Sequence, residues 1–317
     1  MKHKDMVLSI LDKNRGEAVS GEALATELGL TRSAVWKTVK ALRKDGYMIS
    51  SKSNSGYTLD SKCDLITEEK IRKGLKKQNV DIILLETVDS TNNYAKKLLT
   101  DGKTNSFLVV ANAQTGGRGR HGKSFFSPKN GIYMSYVFFP DSDVADVVSV
   151  TSRAAVAVAR AISNTSKINV GIKWVNDLYV ENKKIAGILT EAVSDFEEMI
   201  AHSVVIGIGI NFGDVGFPPE LSDIATSIPL GLTTRSEVIS EVVNELDIIT
   251  HDLTDSSYIN EYRARSVVIN KEIKYTYRTE TKYGRVTAIN DDASLSVIGD
   301  DGVLLKLSSG EITLRVI

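Results

Sequence analysis

The chain has 317 residues, 42% apolar and 25% charged, with a net charge of −1; that is the size and composition of a two- or three-domain globular protein rather than a disordered or fibrous one. One cysteine, Cys63, excludes an internal disulfide or a cysteine metal cluster, and no apolar run reaches bilayer-spanning length. The N-terminus has no long apolar core of the signal-peptide kind, so a cytoplasmic protein without a membrane partner is expected.

The first elements read as helices followed by a hairpin. Met6, Leu8, Ile10 and Leu11 mark a short helix; Ser20 caps a second that carries Leu24 and Leu28 and stops at Gly29. Thr31 caps a third, with Val35, Val39 and Leu42 on one face and Asp45-Gly46 at its end. Tyr47–Ser50 and Gly56–Leu59 then flank the polar tip Lys52-Ser53-Asn54-Ser55 as a β-hairpin. Helix, glycine turn, helix, hairpin is the order of a winged helix-turn-helix, assigned to residues 1–62. Residues 31–52 hold six basic side chains against Asp45 alone. Arg32, Ser33, Trp36, Lys37 and Lys40 fall opposite the apolar stripe, where a recognition helix meets phosphates and base edges. The competing readings are a solvated helix face for the basic stretch and a three-helix protein-interaction module for the unit. Asp60–Asp64 is polar and unpatterned, as a linker is.

Residues 66–265 mix helices and strands. Asp146–Asn164 and Thr234–Leu253 are amphipathic, the second opening with the capping box Thr234/Glu237. The strand-like runs are Phe107–Ala111, Ile132–Phe139, Gly171–Val180, Lys184–Thr190 and Ser203–Phe212; several follow one another without a helix between them. That predicts an α+β fold with a central mixed sheet. Residues 267–317 carry five short strand-like runs, Val267–Tyr277, Arg285–Ile289, Ser294–Ile298, Val303–Leu307 and Ile312–Val316. Joined by Asp-Gly and Ser-Gly turns, they predict a small SH3-like β-barrel.

Four segments carry candidate chemistry. In Gln114–Lys123, four glycines alternate with Arg118, Arg120 and Lys123, a loop whose backbone and guanidinium groups suit an anionic ligand. It has little internal reason to be ordered, so a disorder-to-order closure over ligand is expected. Gly117–Ser124 matches G-x-x-x-x-G-K-[ST] by letter, but Pro128 forbids the helix that a phosphate-binding loop must open, so the match is accidental. Next, Ile172–Val180 and Lys184–Glu191 read as a hairpin with Lys183 and Lys184 at its turn; such lysines are either solvated or placed to neutralise a carboxylate and a phosphate. In Val204–Phe212, Val205, Gly207, Gly209 and Asn211 share one strand face. The missing side chains leave a slot for a flat ligand, or else room for close packing. Finally, Ser90, Thr91 and Asn92 precede an amphipathic stretch and are either a helix cap or polar ligand contacts.

Taken together, DSTN at 89–92, QTGGRGRHG at 114–122, KWVNDLYV at 173–180, KKIAGILTE at 183–191, GIGINF at 207–212 and GEITLRV at 310–316 resemble the biotin protein ligases. With the N-terminal helix-turn-helix, the chain is similar to the bifunctional type that also represses biotin genes. The resemblance implies ATP and biotin as substrates, Mg²⁺ on the phosphates, and biotinyl-5′-AMP as intermediate. It also implies a biotin carboxyl carrier protein as acceptor, operator DNA, and a homodimer promoted by the adenylate. By resemblance, Ser90, Thr91, Asn92 and Gln114 line the biotin ureido end, and Arg118, Gly119 and Arg120 belong to the closing loop. Lys184 matches the catalytic lysine, acting with Arg118 and Arg120; Trp174 and Asn176 lie near the adenylate, Asp177 near the metal, and Gly187, Gly207 and Gly209 form the ligand floor. His121 stands where the family often has Arg, and Val175 where it often has Pro. The rival readings are a non-enzymatic ligand-sensing repressor and a lipoate ligase.

Overall fold

The computed structural model describes residues 3–314 apart from 45, 53–54, 62, 141–146, 148, 196–199, 278–279 and 309–311. The chain divides into two compact units, Met1–Leu65 and Ile66–Ile317.

The first unit is built from α1 (His3–Lys13), α2 (Gly21–Leu28), α3 (Arg32–Lys44), β1 (Ile49–Lys52) and β2 (Gly56–Leu59). Ser20 accepts from the Ala23 N–H at the start of α2, and Gly29, at φ 63°, closes its end by donating to the Ala25 and Thr26 carbonyls. Thr31 accepts from the Ala34 N–H and so caps α3. Val35, Val39 and Leu42 are buried with Val7, Leu11, Leu24 and Leu59 in one apolar core, as the i, i+4, i+7 spacing requires. The wing pairs antiparallel from Ile49–Leu59 to Lys52–Gly56. Asp45 and the wing-tip residues Ser53 and Asn54 lie outside the described residues.

In the second unit the elements run α4 (Glu68–Gly74), β3 (Asp81–Val88), α5 (Thr91–Thr100), β4 (Phe107–Gln114), β5 (Ile132–Phe138), α6 (Val150–Ser166), β6 (Gly171–Lys173), β7 (Asp177–Val180), β8 (Lys183–Asp195), β9 (Ile200–Ile210), α7 (Arg235–Ile249) and α8 (Tyr258–Ala264). The strands form one mixed sheet in the order β3-β4-β5-β9-β8-β7-β6. Only β3 and β4 pair in parallel, with α5 as their crossover; the other neighbours are antiparallel. The run Gly171–Val180 is two strands, not one. Residues 174–176 turn between them so that Lys173 pairs with Asp177, and the Trp174–Val175 peptide is cis.

One sheet face carries the core. Ile206, Ile208 and Ile210 of β9 and Leu108 and Val110 of β4 pack there against α6. Its Ala154, Ala155, Ala157, Ala159 and Ala161 are wholly buried, small enough to let the helix approach closely. The Thr234–Glu237 capping box opens α7 as its sequence predicts. Asp146, at the expected start of α6, lies outside the described residues. On the opposite face, Phe107, Val109, Val137 and Val205 pack with Ala95 of α5 at one end, and the rest stands open as a cavity.

The last strands, β10 (Glu272–Tyr277), β11 (Glu280–Ile289), β12 (Leu295–Gly299), β13 (Leu304–Leu307) and β14 (Ile312–Leu314), form an antiparallel sheet ordered β13-β12-β11-β10-β14. Among the described residues the small barrel expected here is thus a five-stranded sheet, with no ladder between β13 and β14. The Ser309-Gly310 turn and the end of the run to Val316 lie outside those residues.

Candidate functional site

The open face of the mixed sheet is layered in two cross-strand rows. In one, Ser135 of β5, Gly207 of β9 and Leu189 of β8 stand side by side. In the next, Tyr133, Gly209, Gly187 and Asp177 do the same. At about 3.4 Å per residue the rows are roughly 7 Å apart. A side chain at Gly207 would collide with the amide of Asn92, and one at Gly209 with the ring of Phe125. Gly187 also lies under Phe125, with the Lys184 Nζ 3.2 Å from the place its Cβ would occupy. The absent side chains therefore seat two of the chain's own groups as well as opening the slot.

Asn92 and Thr91 arrive on the first turn of α5. Its N-cap, Ser90, makes no side-chain capping bond, so capping is not what its hydroxyl does. Thr91 donates both its backbone N–H (2.9 Å) and its hydroxyl (3.1 Å) to Gln114 Oε1, and Gln114 Nε2 donates to Ser127 Oγ at 3.0 Å. Ser127 in turn donates to the Phe125 carbonyl. That relay ties the helix start to the glycine-arginine loop.

The loop carries hydrogen bonds of its own, which its glycine content does not suggest. Gly119 N–H donates to the Lys123 carbonyl at 2.7 Å and Phe125 N–H to the Gly117 carbonyl at 2.9 Å. Arg120–Gly122 makes one short helical turn, with His121 at φ 55°, and no α-helix follows. The letter match to a phosphate loop therefore lacks the helix N-terminus that would make it one.

From β6, β7 and β8 come the remaining groups. Lys184 Nζ pairs with Asp177 Oδ1 at 2.6 Å, both partly exposed to the cavity. Asn176 Nδ2 donates to the Ile188 carbonyl at 2.8 Å. Trp174, 4% exposed, donates its Nε1–H to the Ala293 carbonyl, and Tyr262 donates to the Val175 carbonyl, so this turn is pinned from below. Lys173 Nζ sits over the Tyr179 ring, whose hydroxyl is pushed up to about 12 by burial and then by the Asp177 charge.

All thirteen residues expected at a ligand line this one cavity of about 230 Å³: Ser90, Thr91, Asn92, Gln114, Arg118, Gly119, Arg120, Trp174, Asn176, Lys184, Gly187, Gly207 and Gly209. Asp177 lines it too, the one carboxylate among the described lining residues, which also include Arg118, Arg120, Lys123, Lys173 and Lys184. Such a surface suits a polyanion. Among the described residues no three acidic, histidine or cysteine groups gather to hold a metal unaided.

The first unit offers a second, separate surface. Arg32, Ser33, Trp36, Lys37 and Lys40 are all exposed on α3. Trp36 is 53% exposed, with Lys40 Nζ 5.3 Å from its ring, and Arg32 pairs with Glu22 at 2.7 Å. Arg32, Trp36 and Lys40 share a groove with Ser51, Lys52 and Tyr57 of the wing.

Three family models match the chain: the HTH domain over residues 4–58, the biotin/lipoate A/B protein ligase family over 84–211, and the biotin protein ligase C-terminal domain over 268–315. The bifunctional ligase/repressor BirA of Bacillus subtilis (strain 168) is 34% identical over 98% of both chains. The chain belongs to the BirA family. BirA of Escherichia coli (strain K12) is 27% identical, covering 95% of this chain and 94% of its own. The fold of the second unit is shared with the biotin protein ligase of Aquifex aeolicus in complex with biotin and ATP. That structure has a TM-score of 0.60 at 24% identity and covers 74% of this chain and 98% of that one.

Sequence reasoning passed over Phe125, which lines this BirA-family cavity, and Glu191 and Lys96, which stand behind its lining residue Asn92. Phe125 follows the loop motif and carries no pattern of its own. Glu191 and Lys96 meet only because β8 and α5, 95 residues apart, fold onto one another.

Proposed function

We propose that the cavity condenses biotin with ATP to biotinyl-5′-adenylate and then passes the biotinyl group to a lysine of a biotin carboxyl carrier protein. The first unit binds operator DNA of biotin genes and represses them. The observation that carries the reading is the convergence of the glycine rows, the arginine loop and Lys184 on one cavity in a BirA-family chain.

The reaction follows from the charges. The biotin carboxylate oxygen attacks the α-phosphorus and the bond to pyrophosphate breaks. Both reactants are anions, so the step needs cations fixed before they meet. Lys184 has three N–H donors, one held by Asp177, and the others serve the carboxylate and the α-phosphate together. Arg118 and Arg120 fork onto phosphate oxygens. In the second half, the carrier lysine's uncharged amine attacks the acyl carbon, AMP leaves with the bonding pair, and the ammonium proton is lost to water. Asp177, the one carboxylate lining the cavity, is the protein group that would share Mg²⁺ with the phosphates, which is as much protein ligation as such an ion needs. When bound, the ion offsets phosphate charge.

No helix among the described residues is long and apolar enough to cross a membrane, and we place the protein in the cytoplasm. Adenylate-promoted homodimerisation, presenting two α3 helices to a two-fold operator, completes the proposal.

The test is to incubate the protein with biotin, ATP and Mg²⁺, isolate the acyl-adenylate, and follow sedimentation of the same sample. Biotinyl-AMP is expected with Mg²⁺ and not with chelator, together with a monomer-to-dimer shift. Equal product from lipoate, or product without dimerisation, would remove the substrate or the regulatory half respectively.

A further inference from the structure

Resting on the reading of the cavity as the biotin and adenylate site, we infer that Lys96, Glu191 and Asn92 form a positioning chain. It sets the biotin end of the slot and governs biotin affinity rather than turnover.

A side-chain amide offers two N–H donors and one carbonyl oxygen. All of Asn92's polar atoms are engaged within the protein. Its Nδ2 donates to the Leu189 carbonyl at 3.2 Å and to Glu191 Oε2 at 2.8 Å, while its Oδ1 accepts from Ser135 Oγ at 2.6 Å. The residue is 4% exposed and seated on Gly207. Asn92 thus spans α5, β5, β8 and β9 in a single row, and it acts by holding that row together.

What fixes its orientation is Glu191. An ionised carboxylate only accepts, so it forces the amide N–H toward β8 and the carbonyl toward Ser135. Glu191 is itself held by Lys96, whose Nζ donates to Oε1 at 2.7 Å. Burial pushes the Glu191 carboxyl up, but the Lys96 and Asn92 hydrogen bonds and the charges of Lys96 and Arg118 outweigh it and hold it below its ordinary value. The Arg118 charge links the chain to the glycine-arginine loop as well. The row of Gly187 and Asp177, whose carboxylate holds the Lys184 Nζ, is the next cross-strand row, so the chain bears on the end where Ser90 and Thr91 stand and not on the phosphate end.

The experiment uses the full chain, with initial rates of biotin-dependent pyrophosphate exchange and thermal melts of Lys96→Met, Lys96→Arg, Glu191→Gln and Lys184→Ala. Lys96→Met and Glu191→Gln are expected to raise the KM for biotin about tenfold, the scale of one charged hydrogen bond, with kcat and the KM for ATP within about twofold of wild type. Lys96→Arg restores the KM for biotin. A KM for biotin unchanged in folded Lys96→Met, a loss confined to kcat, or a parallel rise in both KM values would overturn the chain. Should Glu191→Gln not fold, the Lys96 pair carries the test. Lys184→Ala separates the two levels: full exchange in that variant would remove the reading of the site, whatever Lys96 does.

Discussion

On α3, Arg32 is 72% exposed, as is its α2 partner Glu22, and among the described residues Lys40 has only the Trp36 ring for company. In the cavity, Lys184 is 30% exposed and already paired with Asp177, and the groups around it are wired to the backbone through Gln114, Ser127 and Asn176. The same residue types serve both regions in opposite ways. A phosphate backbone presents charge at many positions, so mobile lysines that release counterions suffice, and their effect is diluted by salt. A reacting phosphorus presents charge at one position, so the cation must be placed beforehand and shielded. Exposure is therefore the physical property that separates the two functions of one chain.

The comparison breaks most visibly at Lys184. Lys184→Ala should slow single-turnover adenylate formation by about 100-fold or more, because a preorganised charge is lost; quenched-flow measurement of biotinyl-AMP checks it. Gly207→Ala should follow, at about 1–3 kcal/mol, since the new methyl must displace the buried Asn92 amide. Its signature is a weaker biotin isotherm together with a lower melting temperature. A smaller effect should come from Lys37→Ala, which removes one exposed cation. It should weaken duplex binding on all sequences alike and lower the salt slope by about 1, read from binding titrations at several salt concentrations.

The smallest effect sharpens the contrast between screened and shielded pairs. Burial raises the Glu261 carboxyl, but hydrogen bonds from Arg160 and Arg265 and their charges bring it below its ordinary value of 4.5. The unfolded chain then takes up the proton first as pH falls. The stabilisation is complete above about 4.5 and disappears as pH drops through the lower folded value. Denaturant melts of wild type between pH 6 and 3 should show that decline, and Glu261→Gln should flatten it.

Much of this was legible in the sequence because its causes are local. The cap at Ser20, the Gly29 stop, the Thr234/Glu237 box and the alternation that puts Gly207 and Gly209 on one face act within a few residues. What stayed hidden depends on distant partners. β3 is half-exposed along its length and is a strand through parallel pairing with β4, so its own periodicity is weak. The break at 174–176 is fixed by Ala293 and Tyr262, from 119 and 87 residues away. The loop's internal hydrogen bonds, from Ser127 to the Phe125 carbonyl and from Gly119 to Lys123, are concealed by its glycine content.

The most direct test of the account is the exchange of labelled pyrophosphate into ATP by the wild-type chain, with biotin present, absent, or replaced by lipoate. The account predicts exchange with biotin alone. Exchange that proceeds without biotin, or none at all from folded protein with Mg²⁺, would contradict it.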